Sequence, residues 1–191
     1  MKSEFFYPSS DGVTSIHAIE WIPTQKPKAV LQISHGMVEY IGRYDEFAEY
    51  LCEKGFYVVG QEHGGSIHAE EDCGYFHKEK GNEYVVGDIH KLRQRTKEIY
   101  SDIPYFLLGH SMGSFLTRQY IQMHGSGLSG VIIMGTGYHG ALELQMGRLL
   151  CRAIAAVKGD RYRSRLVNNL AFGGYNRKFR PARTEVDWLT K

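Results

Sequence analysis

Residues 104–114, PYFLLGHSMGS, decide the fold of this 191-residue chain. Residues 104–109 form a short apolar run that is typical of a buried β-strand. Residues 112–124 have the pattern of a helix, so GHSMG at 109–113 falls at the turn between the two elements. The spacing G-x-S-x-G is weak evidence in a chain with 22 glycines, but its position between a strand and a helix makes it specific.

The serine of this turn is predicted to be a nucleophile. A sharp strand-to-helix turn forces Ser111 into a strained backbone conformation that exposes its hydroxyl above the sheet. Glycine is expected on either side because a Cβ there would collide with neighbouring backbone, and a helix start favours developing negative charge. Gly109, His110 and Gly113 are therefore candidate supporting residues. The alternative is a glycine-rich turn in which Ser111 only caps the helix.

A second motif, His35-Gly36-Met37, directly follows the apolar run AVLQIS at 29–34. Attack of a serine on an ester carbonyl creates an oxyanion, which fixed backbone N–H groups must stabilise. One N–H comes from the residue after the nucleophile, Met112, and the loop after an earlier strand supplies the other. The sequence therefore predicts Met37 and Met112 as oxyanion donors, with His35 and Gly36 as supporting residues. Taken alone, the motif could be a simple turn.

Apolar patterns along the chain predict an α/β architecture. Residues 3–7 and 14–21 flank a turn-rich cluster and predict an antiparallel hairpin at one edge of a sheet. Four further strands alternate with helical patterns, which is typical of a mostly parallel sheet with flanking helices. These strands are predicted at residues 29–34, 56–60, 104–109 and 130–135. One helix is predicted to bury a face formed by Tyr84, Val85, Ile89, Leu92 and Ile99.

Three segments resemble the monoacylglycerol lipase and lysophospholipase branch of the α/β-hydrolases: HGMVEYIGRY at 35–44, FYVVG at 56–60 and GHSMGS at 109–114. The resemblance implies the α/β-hydrolase fold, Ser111 as the nucleophile and the same two methionine amides as oxyanion donors. It implies hydrolysis of the carboxylic ester of a lipid-like substrate through an acyl-serine intermediate. Because this branch also contains esterases and serine peptidases, an aminopeptidase stays an alternative.

The resemblance divides the chain into two parts. Residues 1–135 are expected to be the hydrolase core, and residues 136–191 the beginning of an incomplete helical cap. The family usually carries an Asp-x-x-Gly-His-Gly-x-Ser loop after the strand that ends here at residue 60, whereas residues 61–68, QEHGGSIH, are several residues shorter. His and acidic side chains continue to residue 72 without a standard ligand spacing, so no metal site and no cofactor are expected.

The partners that would activate the predicted nucleophile are not evident in the sequence. In this fold the acid and then the histidine follow the serine in chain order, and only His124 and His139 follow Ser111. His124 lies roughly 18 Å along the helix at 1.5 Å per residue, and His139 is, with Tyr138, a possible pocket wall. The triad acid and base, and the last strands of the sheet, are therefore expected to be missing. This favours a fragment or a non-catalytic binding module as alternatives to an active enzyme.

Charge is uneven along the chain although its net value is only +2. Asp and Glu exceed Lys and Arg by five over residues 1–140, and Lys and Arg exceed Asp and Glu by seven over residues 141–191. The basic part surrounds an amphipathic stripe, which predicts peripheral contact with a lipid interface or, equally, an ordinary solvated face. It lacks a nucleic-acid-binding motif, so the expected partner is a small-molecule acyl ester or lipid.

Cysteine spacing and hydropathy indicate which cross-links and which cellular compartment to expect. Cys52, Cys73 and Cys151 form no CxxC pair, so neither a disulfide framework nor a zinc site is expected. No apolar run approaches the length of a membrane span and the first residues lack a secretory pattern, so a cytoplasmic protein is expected. The sequence leaves the oligomeric state open.

Overall fold

The computed structural model describes residues 1–64 and 74–174. The chain divides into two compact units, Met1–Tyr138 and His139–Lys191, and each is described by itself. Within the described residues, the first unit holds a six-stranded sheet and three α-helices, and the second holds two α-helices.

The sheet of the first unit confirms the predicted architecture. Its strands are β1 (Lys2–Pro8), β2 (Ser15–Trp21), β3 (Ala29–Ser34), β4 (Phe56–Gln61), β5 (Tyr105–His110) and β6 (Gly130–Met134). They lie in the order β1-β2-β4-β3-β5-β6. β1 and β2 form an antiparallel hairpin at one edge, and β2 pairs antiparallel with β4. The remaining pairs, β4 with β3, β3 with β5 and β5 with β6, are parallel.

Helices follow the parallel strands, as the alternating pattern predicts. A 3₁₀ turn (Ile41–Tyr44) leads into α1 (Asp45–Glu53), and α2 (Gly81–Ile99) and α3 (Met112–His124) complete the first unit. The second unit holds α4 (Ala141–Lys158) and α5 (Arg165–Phe172). No helix in residues 1–64 and 74–174 is long and apolar enough to cross a membrane.

Buried side chains cover both faces of the sheet. Alternate residues of a strand point to opposite faces, so neighbouring residues of β3 enter different clusters. Leu31 and Ile33 join the cluster that contains Ala48 of α1, whereas Val30 packs in the cluster that contains Leu92 of α2. The sheet is therefore a central layer between α1 on one side and α2 on the other, and the carboxyl ends of β3 and β5 lie side by side, with Ser34 opposite Gly109.

The buried face of α2 differs from the predicted one. Val85, Ile89 and Leu92 are buried as expected, but Ile99 is 59% exposed, so its place on the apolar face was wrong. Val86 and three polar residues, Asp88, Arg93 and Thr96, are also buried on this helix. The prediction did not consider polar residues, and these three are buried because they have hydrogen-bond partners.

Arg93 ties α2 to the end of α3. Its guanidinium donates hydrogen bonds to the carbonyl oxygens of His124 (2.6 Å) and Ser126 (2.7 Å) and to the hydroxyl of Tyr120 (3.2 Å). The last carbonyl groups of a helix have no partner within the helix, so this buried arginine supplies the donors that they need. Arg93 thereby fixes one end of the helix whose other end begins next to Ser111.

We expect Arg93→Met to destabilise the protein by about 2–3 kcal/mol, because the two carbonyl groups and the buried Tyr120 hydroxyl lose a charged donor. Chemical denaturation followed by circular dichroism measures the change. Arg118→Met, at an exposed position of α3, is the matched control and should change stability by less than about 0.5 kcal/mol. Equal effects of the two substitutions would contradict the assigned role.

Candidate active site

Ser111 lies at a strained turn between β5 and α3. Its φ of 51° and ψ of −117° are unusual for a residue other than glycine. Such a conformation costs on the order of 1–3 kcal/mol and persists only where the surroundings enforce it. The N–H of Ser111 donates to the carbonyl oxygen of Met134 (3.0 Å), and the N–H and hydroxyl of Ser114 donate to the carbonyl oxygen of Ser111 (2.9 and 2.6 Å). These bonds hold the serine between β6 and α3.

Two glycines make this turn possible. A Cβ at Gly109 would lie 2.3 Å from the Oγ1 of Thr117 and 2.4 Å from the carbonyl oxygen of Gly113. A Cβ at Gly113 would lie 2.0 Å from the carbonyl oxygen of Ser34 and 2.6 Å from that of His35. Helix α3 therefore begins in direct contact with the end of β3, and only residues without a side chain fit between them.

The loop after β3 lies beside Ser111. A Cβ at Gly36 would be 3.0 Å from the Cβ of Ser111, so the backbone of this loop is in contact distance of the serine side chain. The next residues, Met37 and Val38, are half-exposed, and Val38 has a φ of 60° although it is β-branched. The structure thus brings together the two motifs that are 74 positions apart in the sequence.

The two methionine N–H groups predicted as oxyanion donors have no competing hydrogen-bond partner in the part of the chain that the structure describes. The Nδ1 of His35 lies 2.8 Å from the carbonyl oxygen of Gly36, and in a trans peptide the N–H of Met37 then points the opposite way. Met112 is the first residue of α3, so its N–H has no intrahelical acceptor. In the described parts of the chain, neither of these N–H groups nor the Ser111 hydroxyl makes a hydrogen bond with another protein group.

A buried carboxylate, Glu39, joins the loop after β3 to the serine turn. Its Oε1 accepts hydrogen bonds from the N–H of Gly36 and the hydroxyl of Tyr44, and lies 2.7 Å from the Nδ1 of His110. Its Oε2 lies 2.9 Å from a guanidinium nitrogen of Arg43. The side chain of Glu39 is only 3% exposed. The sequence analysis missed this residue, and the only signal was an acidic residue three positions after a glycine motif.

These contacts lower the pKa of Glu39. Burial of the carboxyl opposes ionisation and is the largest single effect, but hydrogen bonds from His110 and Gly36 and the attraction of His110 outweigh it. The net result is a pKa below the ordinary glutamate value, so the carboxylate is charged at neutral pH.

A second buried cluster supports the same loop. The Nε2 of His35 lies 3.1 Å from the Oε2 of Glu62, whose Oε1 accepts a hydrogen bond from the N–H of Ile41 (3.0 Å). The ring of His63 packs on that of His35, and its Nε2 lies 3.0 Å from the His35 carbonyl oxygen. Burial and the neighbouring His35 hold the pKa of His63 well below its usual value, so its ring is neutral. Sequence analysis did not assign these contacts.

The remaining predicted residues lie elsewhere. His124, at the end of α3, stacks on His90 with ring centroids 3.9 Å apart. The Nδ1 of His139 lies 3.2 Å from the Oε1 of Glu143 within the second unit, and Tyr138 is 91% exposed at the end of the first. The role of Tyr138 and His139 as a pocket wall stays a prediction. Of the side chains considered for a metal site, His63 is described, whereas His68, Glu70, Glu71 and Asp72 lie outside the described residues.

We expect Gly113→Ala to destabilise the protein by about 3 kcal/mol, because the new Cβ would overlap the Ser34 carbonyl oxygen and push α3 away from β3. Thermal unfolding measures the loss. Gly147→Ala is the control, because no atom lies within 4 Å of its Cβ position and alanine favours the surrounding helix. An unchanged melting temperature for the Gly113 variant would refute the close contact.

Stability should also depend on the charge of Glu39. A carboxylate with a lowered folded pKa stabilises the protein above its unfolded pKa of about 4.3, and this contribution is lost as pH falls through the folded pKa. The difference in unfolding free energy between the wild type and Glu39→Gln should therefore be constant above about pH 5 and shrink as pH falls below about 4. Denaturation at several pH values tests this, with the exposed Glu49→Gln as the charge control. A difference that is the same at pH 3 and pH 7 would contradict it.

Curated relatives match part of the chain. It is 32% identical to a monoglyceride lipase of Rattus norvegicus over 121 residues, which are 60% of this chain and 37% of that protein. It is 26% identical to a monoacylglycerol lipase of Mycolicibacterium smegmatis over 134 residues, 70% of this chain and 46% of that protein. The chain thus spans less than half the length of either relative.

A solved structure matches nearly the whole chain. A thermostable carboxyl esterase from Bacillus coagulans, determined with glycerol, superimposes with a TM-score of 0.81 and 31% sequence identity. The match covers 98% of this chain and 61% of the esterase. The fold predicted from the resemblance, the α/β-hydrolase fold with a mostly parallel sheet, is thereby confirmed.

The family match agrees with the geometry around Ser111. Residues 25–191 match the family described as "Serine aminopeptidase, S33". This range includes the loop after β3 and the serine turn. The chain belongs to this serine aminopeptidase S33 family, within the monoglyceride lipase-like branch of the α/β-hydrolases.

Proposed function

We propose that this chain carries the nucleophile and the oxyanion hole of a serine hydrolase that cleaves carboxylic esters of monoacylglycerol or lysophospholipid type. One observation carries the proposal: Ser111 has a positive φ at a strand-to-helix turn, and Gly36 lies so close that a Cβ on it would be 3.0 Å from the Ser111 Cβ. Two amide groups, those of Met37 and Met112, have no acceptor among the described protein groups. A strained serine next to two available N–H donors is the arrangement that acyl transfer requires.

The chemistry would proceed by covalent catalysis. The Ser111 oxygen attacks the ester carbonyl carbon while a base takes its proton, and the carbonyl oxygen becomes an oxyanion that accepts hydrogen bonds from Met37 and Met112. Collapse of this tetrahedral intermediate breaks the bond between the carbonyl carbon and the alcohol oxygen. The alcohol oxygen receives the proton from the base. Water then attacks the acyl-serine, releases the acid and restores the serine hydroxyl. In residues 1–64 and 74–174 no histidine makes a hydrogen bond with the Ser111 hydroxyl, so the described residues do not identify this base.

Apolar side chains near Ser111 support a lipid-like substrate. Met37 and Val38 follow Gly36 directly, and Phe115 lies one turn after Ser111 on α3. Met134, whose carbonyl oxygen binds the Ser111 N–H, is also partly exposed. An acyl chain would be stabilised by burial against these side chains. The curated relatives named above, a monoglyceride lipase and a monoacylglycerol lipase, favour the same substrate class.

The surroundings of the site stay at the level of prediction. Contact of the basic residues after 140 with a lipid interface, the cap role of residues 136–191 and the cytoplasmic setting are expectations from the sequence. The description of the matched family makes an aminopeptidase the second candidate. Because only His124 and His139 follow Ser111, a non-catalytic module that binds lipid is the third.

The main test compares wild type with Ser111→Ala on p-nitrophenyl butyrate and octanoate, on a monoacylglycerol, and on alanine and proline amides. The 191-residue chain and any longer product of the same reading frame should both be assayed. We expect ester hydrolysis by the form that contains the base, lowered by at least about 10³-fold in Ser111→Ala. Ser101→Ala, at an exposed position before β5, is the matched hydroxyl control.

Each outcome separates the candidates. Equal ester turnover by wild type and Ser111→Ala would exclude Ser111 as the nucleophile. Faster turnover of the amides than of the esters would favour the aminopeptidase. Absence of turnover in every form, together with binding of the monoacylglycerol, would favour the non-catalytic module.

A further inference from the structure

The two proposed oxyanion donors belong to different segments of the chain. Met37 lies in the loop after β3, and Met112 is the first residue of α3. An oxyanion hole works only when both N–H groups stand about 3 Å from the same oxygen, and an error of about 1 Å can cost on the order of 10²-fold in rate. Something must therefore fix the loop relative to the serine turn.

Glu39 makes direct contacts with both segments. On the loop side it accepts the hydrogen bond of the Gly36 N–H, one residue before Met37. On the serine side it lies 2.7 Å from the Nδ1 of His110, one residue before Ser111. The same oxygen, Oε1, makes both contacts, so the two segments are joined through a single buried atom.

Two hydrogen bonds restrict the orientation of the Met37 N–H in the loop after β3. The peptide group before Gly36 is held through its N–H by Glu39, and the peptide group after it is held through its carbonyl oxygen by His35. Since a peptide group is planar, fixing these two groups fixes the direction of the Met37 N–H. Glu39 is charged at neutral pH, and hydrogen bonds to a charged acceptor are stronger than neutral ones.

We propose that Glu39 is a positioning residue that sets the separation of the Met37 and Met112 amides by holding Gly36 and His110 on one carboxylate oxygen. This inference rests on the proposed function, because the two amides matter for catalysis only if they form an oxyanion hole. Glu39 acts through its two neighbours and makes no contact with the substrate.

The first test measures attack by the Ser111 oxygen on the phosphorus of a fluorophosphonate, which displaces fluoride, and it does not depend on deacylation. The rate of Ser111 labelling by a fluorophosphonate probe is compared in wild type, Glu39→Gln and Glu20→Gln. Glu20 is the matched control, because it lies on β2, which β4 separates from β3, and its carboxylate accepts a hydrogen bond from the hydroxyl of Tyr57 on β4. We expect labelling of Glu39→Gln to be about 10- to 100-fold slower, with Glu20→Gln within about twofold of wild type.

A second variant keeps the inference testable if Glu39→Gln does not fold. His110→Leu breaks the same link from the serine side and leaves the buried carboxylate with its other donors. It should slow labelling by about 10-fold or more, and combining it with Glu39→Gln should add little, because the link is already lost. Additive effects of the two substitutions would show that they act independently and would overturn the proposal.

A spectroscopic measurement separates this inference from the proposed function. In ¹H–¹⁵N spectra of the 191-residue chain, Glu39→Gln should move the amide resonances of Gly36, Met37 and Met112, and Glu20→Gln should leave them in place. Unchanged resonances, or wild-type labelling rates in Glu39→Gln, would overturn the positioning role. Absence of wild-type labelling in every form of the protein, with the three resonances shifted, would instead count against the hydrolase function and leave the structural link intact.

Discussion

The contact between the start of α3 and the end of β3 is the constraint on which the site depends. Gly113 approaches the Ser34 carbonyl oxygen so closely that a single extra carbon would overlap it. This approach forces the chain to reverse within a few residues, and Ser111 takes up the strained conformation at that reversal. The serine is exposed to the loop after β3 because backbone packing leaves it no other position.

Two buried glutamates stabilise the loop that faces this serine. Glu39 holds it from the side of the serine turn, and Glu62 holds it from the side of β4 through His35 and the Ile41 N–H. A carboxylate away from water is tolerated only with favourable polar contacts around it. Glu39 has four such contacts, whereas Glu62 accepts a hydrogen bond from the Ile41 N–H and lies 3.1 Å from the Nε2 of His35. The loop therefore has its shape from paired charges and hydrogen bonds, since the residues that face solvent, Met37 and Val38, contribute little burial.

The sequence predicts the parts of this structure that follow local rules. Alternation of apolar runs gave the strands, and the glycine spacing gave the turn at Ser111, since both patterns depend on neighbouring residues alone. Glu39 and Glu62 could not be found in this way, because their donors come from segments up to 71 residues away. The burial of Arg93 and the exposure of Ile99 have the same origin: tertiary hydrogen bonds decide which face of α2 turns inward.

The hydrogen bond from the Ser111 amide to Met134 connects the reactive residue to β6, the last strand of the described sheet order. Among the described strands β6 pairs with β5 alone, and a strand held by one neighbour opens more easily than a strand held by two. Opening of this pair would break the bond between Met134 and the Ser111 amide and release the serine from its strained conformation. The geometry of the serine turn therefore depends on how firmly β6 is held to β5.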